Sequence, residues 1–369
     1  MENNYKIDYI KNEAGDTIKR LSSENYNYRF NMVTGEFLRY GKTLKDDPAY
    51  SPFGPEIVDG ELGTICHGIT KSDGTGGPCP WCYKSNTPNG KNMTFETFKI
   101  LFSKFPDTIT QLAAALGDID ANPDLFKILW HCRLNGVIPN LTLNGARLTI
   151  GLVEELAKVL GACSVSNYDD DVCFDAVEAL SAYKNVPGYT IRQINIHSLL
   201  SHENYNDCLA LLKKTKTDKR LANLNSVVFL YVKPKGDRNT MHPVTTEQFN
   251  ALVKIALDEN VSIGFDSCSA SAFLTSVKEH PKYKLFETLC EPCESFGLFS
   301  SYFNVDGKYF PCSFAERTPD WEDGIDLLDI IDFNKDVWNC DKIKEYRKLS
   351  LNTCDCNGCR RCLIYDLNQ

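Results

Sequence analysis

The sequence predicts an α/β chain in which a partial or full parallel (β/α) barrel is followed by a small cysteine-rich C-terminal domain. Two observations carry this. From residue 56 onward, strand-like apolar runs alternate with amphipathic stretches, and the runs start roughly 25–35 residues apart, the length of a β-α unit. Cysteine is distributed just as unevenly: of 16 in 369 residues, three group at positions 66, 79 and 82, and nine lie from Cys268 onward, where the rhythm stops. With 43% hydrophobic and 24% charged residues, the chain has apolar material for a large core and about two domains.

Residues 1–55 are polar and aromatic, and YNYRFNMVTGEFLRYG alternates around a VTGE turn as a β-hairpin does. The strand-like runs follow as EIVDGELGTI, ITQLAAALG, IPNLTLN, GACSVSN, YTIRQINIH, SVVFLYVK and VSIGFDS. Between the first two, Phe95, Phe98, Phe102 and Phe105 keep helical spacing behind Thr94, a cap residue. Asn122-Pro123 reads as a cap and first-turn proline opening the next helix. Six or seven such units in a row predict a parallel barrel, with boundaries at 1–55, 56–266 and 267–369. Reacting groups in such barrels sit just past the C-terminal ends of the strands. Those positions are Cys66, Gly117-Asp118, Asn144-Gly145, Ser166-Asn167, His197, Lys233 and Asp266–Cys268.

The formal net charge of −9 argues against a nucleic-acid partner. The one basic cluster, Lys213, Lys214, Lys216, Lys219 and Arg220, is diluted by Asp218 and reads as a solvated helix end. The polar start MENNYKIDYIKNEAGD lacks the apolar region of a secretory signal, and no run nears the ~18 apolar residues of a membrane span. A cytoplasmic location is expected, without membrane attachment. Thiols stay reduced there, so 16 cysteines call for metal or iron–sulfur ligation rather than disulfides. Cys132, Cys163, Cys173 and Cys208 sit singly among apolar neighbours, as small core residues do.

The segment CHGITKSDGTGGPCPWCY spaces three cysteines as C-x12-C-x2-C before an aromatic, Tyr83. Three thiolates hold three irons of a [4Fe–4S] cube and leave the fourth iron open. A zinc site completed by His67 or His131 is the competing reading. The segment resembles the cluster loop of the radical S-adenosylmethionine (SAM) superfamily: three cysteines after the first barrel strand, an aromatic after the third, then a (β/α) core. The family's usual spacing is C-x3-C-x2-C. The longer first loop costs about 1 kcal/mol in closure entropy, and Gly74, Gly76 and Gly77 permit the turn. The resemblance implies SAM on the open iron. It also implies cofactor contacts at Tyr83, at Gly117-Asp118, which loosely matches a GGE-like motif, at Asn144, at Ser166 and Asn167, and at His197. For Asp118, capping of the next helix by it or by Asp120 competes; for His197, a structural role competes.

In the C-terminal third, Cys293-x13-Gly307-x4-Cys312 resembles the opening half of a SPASM or twitch domain. Asp306-Gly307 is a hairpin turn that brings the two thiols to one end of a ribbon. The closing half falls in CDCNGCRRC, which departs from the full SPASM spacing, so at least one auxiliary iron–sulfur cluster is expected rather than two. Cys359 and Cys362, spaced to reach one centre, are the expected partners of Cys293 and Cys312. Cys268 and Cys290 are further ligand candidates, and Cys354 and Cys356 are disfavoured because they point apart if extended. A zinc knuckle of the last four cysteines competes.

The resemblance implies reductive cleavage of SAM to a 5′-deoxyadenosyl radical that abstracts hydrogen, with an external one-electron reductant. A peptide or protein substrate is expected, because relatives with such C-terminal domains act mostly on peptides. The alternatives are a small-molecule substrate, such as a nucleotide or sugar, and a non-catalytic iron–sulfur or zinc scaffold. The first 55 residues are short for a leader-peptide-binding domain.

Overall fold

The computed structural model describes residues 4–354 and 359–365. The chain opens with four antiparallel strands in sequential order, β1 (Lys6–Lys11), β2 (Thr17–Ser22), β3 (Asn27–Asn31) and β4 (Phe37–Tyr40). The expected hairpin is β3–β4. Its turn is set by Asn31, whose Oδ1 accepts from the Val33 and Thr34 amides, and by Gly35 at φ 79°.

The barrel strands follow. β5 (Ile57–Glu61) leads into the first cysteine loop, which carries two short pairing strands, β6 (Ile69–Thr70) and β7 (Gly76–Gly77). Then come α1 (Phe95–Lys104), β8 (Gln111–Ala115), α2 (Leu125–Leu134), β9 (Ile138–Leu143), α3 (Ile150–Val159), β10 (Ala162–Ser166) and α4 (Asp170–Ser181). They continue with β11 (Gln193–Leu200), α5 (Tyr205–Thr217), β12 (Ser226–Tyr231), α6 (Thr246–Asp258) and β13 (Ile263–Phe265). Each of the seven strand-like runs forms a strand, and all seven pair in parallel in sequence order. Thr94 caps α1 as its spacing suggests, accepting from the Thr97 amide at 3.1 Å. The next helix starts later than Asn122-Pro123 implies: Asn122 Oδ1 accepts from the Asp124 amide, and Asp124 is the cap residue of α2. Neither Asp118 nor Asp120 is that cap.

After α7 (Ala270–Ser276) and α8 (Tyr283–Leu289), the chain returns to the barrel through β14 (Ser300–Phe303), which pairs in parallel with β5. β15 (Lys308–Phe310) and β16 (Ile325–Asp326) extend the sheet antiparallel, and α9 (Asp341–Asn352) follows. The result is a ten-stranded sheet with β13 and β16 at its edges, hence a partial barrel. The cysteine-rich segment is therefore not hung beside the barrel; its first strand continues the barrel wall. Gly60 makes this possible, because a Cβ there would stand 2.4 Å from the Phe303 ring.

Alternation sorts the strands. Leu141, Leu143, Cys163, Val165, Ile194 and Ile196 are buried against the helices. Their neighbours on the inner face, among them Asp59, Thr142, Ser164, Asn195 and His197, are polar and keep some accessible surface. A barrel filled by layers of Val, Ile and Leu has no interior space. This one has a polar interior. The N-terminal sheet closes it from below: Leu21, Tyr26, Tyr28 and Phe30 pack with Ile138, Leu298 and Phe299. Tyr28 Oη lies 3.1 Å from Thr110 Oγ1, and buried Lys19 donates to the Ile109 carbonyl at 2.7 Å. Arg39 ties this floor to the sequences around it, donating to Glu56 at 2.7 Å, to Glu291 at 3.2 Å and to Glu294.

Candidate functional site

The open end of the barrel carries two groups of thiols. The first is Cys66, Cys79 and Cys82. Burial, with the neighbouring thiols of the same group, pushes Cys66 upward and Cys79 up to about 12. That mutual influence puts the three within electrostatic reach of one another. The loop is built from below by Gly117, which ends β8: its amide donates to the Gly63 carbonyl, and the Asp118 amide donates to Ile65 O at 2.9 Å. A Cβ on Gly117 would sit 2.1 Å from Ile65 O and 2.6 Å from Cys66 Cβ. Only glycine lets the strand end approach the cysteine this closely.

Asp118, only 3% exposed, takes its short contacts on one oxygen, Oδ2, while Oδ1 has only Asn144 at 3.4 Å. Its carboxylate accepts from the His67 amide at 3.0 Å and from Arg147 at 2.9 Å, and His67 Nδ1 lies 2.6 Å away. Through Oδ2, Asp118 buttresses the residue after Cys66. Arg147 reaches it from a turn that places Gly145 and Arg147 itself at positive φ, 77° and 61°. Neither histidine weighed for zinc joins the thiols: His67 turns to Asp118, and His131 lies edge-on to Phe95, Phe98 and Phe102. Among the described residues no three ligand side chains close on one point, as a single metal ion needs. A cube takes each thiolate on a different iron and holds the sulfurs apart.

The other barrel-end residues stand where the spacing puts them. Asn144 Nδ2 lies 3.4 Å from Asp118, and Asn167 donates to Asp170 at 2.9 Å while its own Oδ1 is buried without a partner. Tyr168, two residues past Ser166, packs its ring 5.8 Å from Trp81 and so fastens the Cys79–Cys82 turn to the end of β10. Burial lowers His197 to about 4, which keeps its imidazole neutral.

The second group forms from four segments. Cys293, Cys312 and Cys362 influence one another, and Cys268 senses both Cys293 and Cys362. Burial comes first among the causes that push Cys312 up to about 12 and Cys268 well above the ordinary thiol value. Cys359, also expected among these ligands, is buried and packs with Ala270, Leu274 and Cys290. The stretch after residue 358 runs so that Cys359 and Cys362 face different neighbours. Cys354 is exposed and Cys356 lies outside the described residues.

The two thiol groups are joined. Tyr83, one residue past Cys82, stacks on Phe314, two residues past Cys312, with centroids 4.7 Å apart. Lys84 spans the same gap, 3.1 Å from Glu61 at the end of β5, 2.7 Å from Tyr302 Oη, and bonded to Glu316. The loop after β12 clasps both sides: Lys235 donates to the Ser313 and Glu316 carbonyls at 2.9 Å, and Arg238 to the Asn86 carbonyl at 3.0 Å. Gly236 lies so close that a Cβ would meet Cys82 O at 2.2 Å. Glu61, Lys84, Arg147, Glu316 and Arg238 were not singled out from the sequence. The only local signal was KPKGDRN, a basic, glycine-bearing run just past a strand end.

In donor type, the first group could supply three thiolates to an iron–sulfur cube and the second four. Buried thiols that raise one another's pKa are relieved when cationic irons take the place of their protons.

No family model and no curated protein matches this sequence. Solved structures do resemble the fold. SuiB of Streptococcus suis bound to its precursor peptide SuiA superposes with a TM-score of 0.64 at 11% identity, over 88% of this chain and 90% of that one. SuiB bound to S-adenosylmethionine gives 0.59 at 13% identity, over 82% and 69%. The enzyme anSMEcpe with bound AdoMet and the Cp18Cys peptide gives 0.55 at 13% identity, over 85% and 92%. The likeness spans the large, mostly parallel sheet with its helices, and in this chain a cysteine-rich C-terminal region follows. By its architecture, this chain shares the fold of SuiB and anSMEcpe.

Proposed function

We propose that this protein is a radical SAM enzyme that modifies a peptide or protein. It would hold a SAM-binding [4Fe–4S] cluster on Cys66, Cys79 and Cys82, and an auxiliary cluster on Cys268, Cys293, Cys312 and Cys362. The observation that carries the reading is the pairing of a three-thiol and a four-thiol group across one polar barrel mouth, coupled by Tyr83–Phe314 and Lys84. When bound, the cluster and SAM supply the one-electron chemistry that removes a hydrogen atom from the substrate.

The chain's own residues do the rest. Gly117 and the Asp118–His67–Arg147 cluster fix the first cysteine loop in place. Asn144, Ser166, Asn167 and His197 offer neutral hydrogen-bonding groups along the mouth, suited to the carboxylate and ribose of the cofactor. The closed floor keeps bulk water from entering from below. A peptide substrate is supported by the comparisons, since SuiB and anSMEcpe were both solved with peptides bound. An external one-electron donor and a reducing, cytoplasmic setting suit the buried free thiols. Among the described residues, no helix is long and apolar enough to cross a membrane.

The test joins anaerobic iron and sulfide counting to a SAM-cleavage assay. Replacing Cys66, Cys79 and Cys82 together by alanine should remove about four irons per chain and abolish release of 5′-deoxyadenosine, with the auxiliary iron retained. Full iron content with continued cleavage would refute the assignment.

A further inference from the structure

We propose that Asp59 is the receptor for a cationic side chain of the substrate, a lysine ammonium or an arginine guanidinium, inserted into the barrel from the mouth between the two thiol groups. The inference rests on the peptide-modifying reading above and adds to it the chemistry of the residue recognised.

Interior carboxylates in this protein are paired with cations. Glu61 and Glu316 share Lys84, Glu56 and Glu294 share Arg39, Asp118 has Arg147, and Asp266 has Lys233 at 2.5 Å. Asp59 is the exception. It sits mid-strand in β5, between Ala113 of β8 and Tyr302 of β14, on the inner face opposite buried Val58 and Gly60. Among the described residues its carboxylate has no hydrogen-bond or ion-pair partner, yet it keeps accessible surface. A carboxylate removed from bulk water without a partner is costly unless something pairs with it.

The surroundings select the partner. Glu294 is the charge that Asp59 senses, and Tyr83 and Tyr302 lie within its field together with Glu61. Further negative charge there would be repelled, whereas a cation gains from the carboxylate and from nearby aromatic rings. The Tyr302 ring already holds one cation, with Lys84 Nζ 5.0 Å from its centroid. Depth adds a length requirement. Asp59 lies two residues below Glu61, roughly 6–7 Å along the strand, and the N-terminal sheet blocks approach from the other side. A long, flexible side chain reaches it; a backbone amine does not.

The test measures binding by calorimetry on the anaerobically purified, SAM-loaded protein. The probes are acetyl-Gly-Lys-Gly-amide, its arginine and norleucine counterparts, and n-butylamine. The wild type should bind the lysine or arginine peptide about tenfold or more tightly than the norleucine peptide, and Asp59→Asn, which keeps the side-chain shape, should abolish that preference. Equal affinity for all peptides, or a preference that survives in D59N, overturns the proposal and leaves the peptide-modifying reading standing. Asp59-dependent binding of n-butylamine with no peptide binding supports the subsite and counts against a peptide substrate. No Asp59-dependent binding of any probe overturns the subsite. Tyr302→Phe supplies a second folded variant, expected to retain the preference.

Discussion

Lys84 is the cation on which the junction between the two thiol groups depends, and Lys84→Met tests that dependence. Methionine keeps the apolar stem but leaves Glu61 without its ion-pair partner and Glu316 with only Lys235, which makes no direct ion pair with it. The three side chains are 12%, 5% and 11% exposed, so water does little to screen the loss. Removing one member of a buried pair costs about 3–5 kcal/mol, and the lower end applies here because one of the two carboxylates can take up a proton. Burial alone would raise Glu316, but Lys84, with Asn304 donating at 2.9 Å, holds it below the ordinary carboxylate value. A depressed native pKa contributes stability that is present above the unfolded pKa and lost as pH falls through the native one. The gap between wild type and K84M should therefore be fully present at neutral pH and narrow as pH falls below about 4.5. In anaerobic urea titrations followed by circular dichroism, the midpoint should fall by an amount equivalent to about 3 kcal/mol, with Lys84→Met/Glu316→Gln recovering part of it. A single variant within about 0.5 kcal/mol of wild type at neutral pH would refute the reasoning.

Two further outcomes follow from the same contacts. Cys268→Ala should lose about one cluster's worth of iron, whereas Cys359→Ala should keep it; the reverse pattern in an anaerobic iron count would return Cys359 to the ligand set. Burial, reinforced by Glu294, raises Asp59 from 3.8 to about 7, so the folded chain binds a proton that the unfolded chain releases, and stability falls as pH rises through that window. Asp59 senses Glu294, Tyr83 and Tyr302 sense Asp59, and Lys84, bonded to Tyr302 and Glu61, makes no ion pair with Asp59. Asp59→Asn should flatten the pH–stability curve between about pH 4 and pH 7, and a curve parallel to that of wild type would count against an unpartnered carboxylate.

Local features of this protein were legible from residue order. A β-α unit is a short-range pattern, and the seven strand-like runs form strands because alternation and apolar runs act within a few residues. The same holds for the hairpin at Asn31–Glu36 and for the Thr94 cap. Cys66, Cys79 and Cys82 could be grouped because one loop holds them. The positions past each strand end could be named because parallel strands in register deliver their C-termini to one side.

What only the tertiary structure decided concerns segments far apart in the chain. Tight Cys359–Cys362 spacing suggested a shared centre, but the packing sends Cys359 toward Ala270 and Leu274, and Cys268 approaches from the end of β13. Asp118 had the position of a ligand residue, yet its Oδ2 meets His67 and Arg147, and no spacing rule reveals a partner 29 residues away. Nor did the sequence reveal that β14 would join β5, that residues 1–55 would floor the barrel, or that Asp59 alone among these interior carboxylates would lack a cation. Periodicity and spacing fix which face or turn a residue occupies. Which distant side chain meets it depends on how all the layers pack at once, and that information is not carried by any window of the sequence.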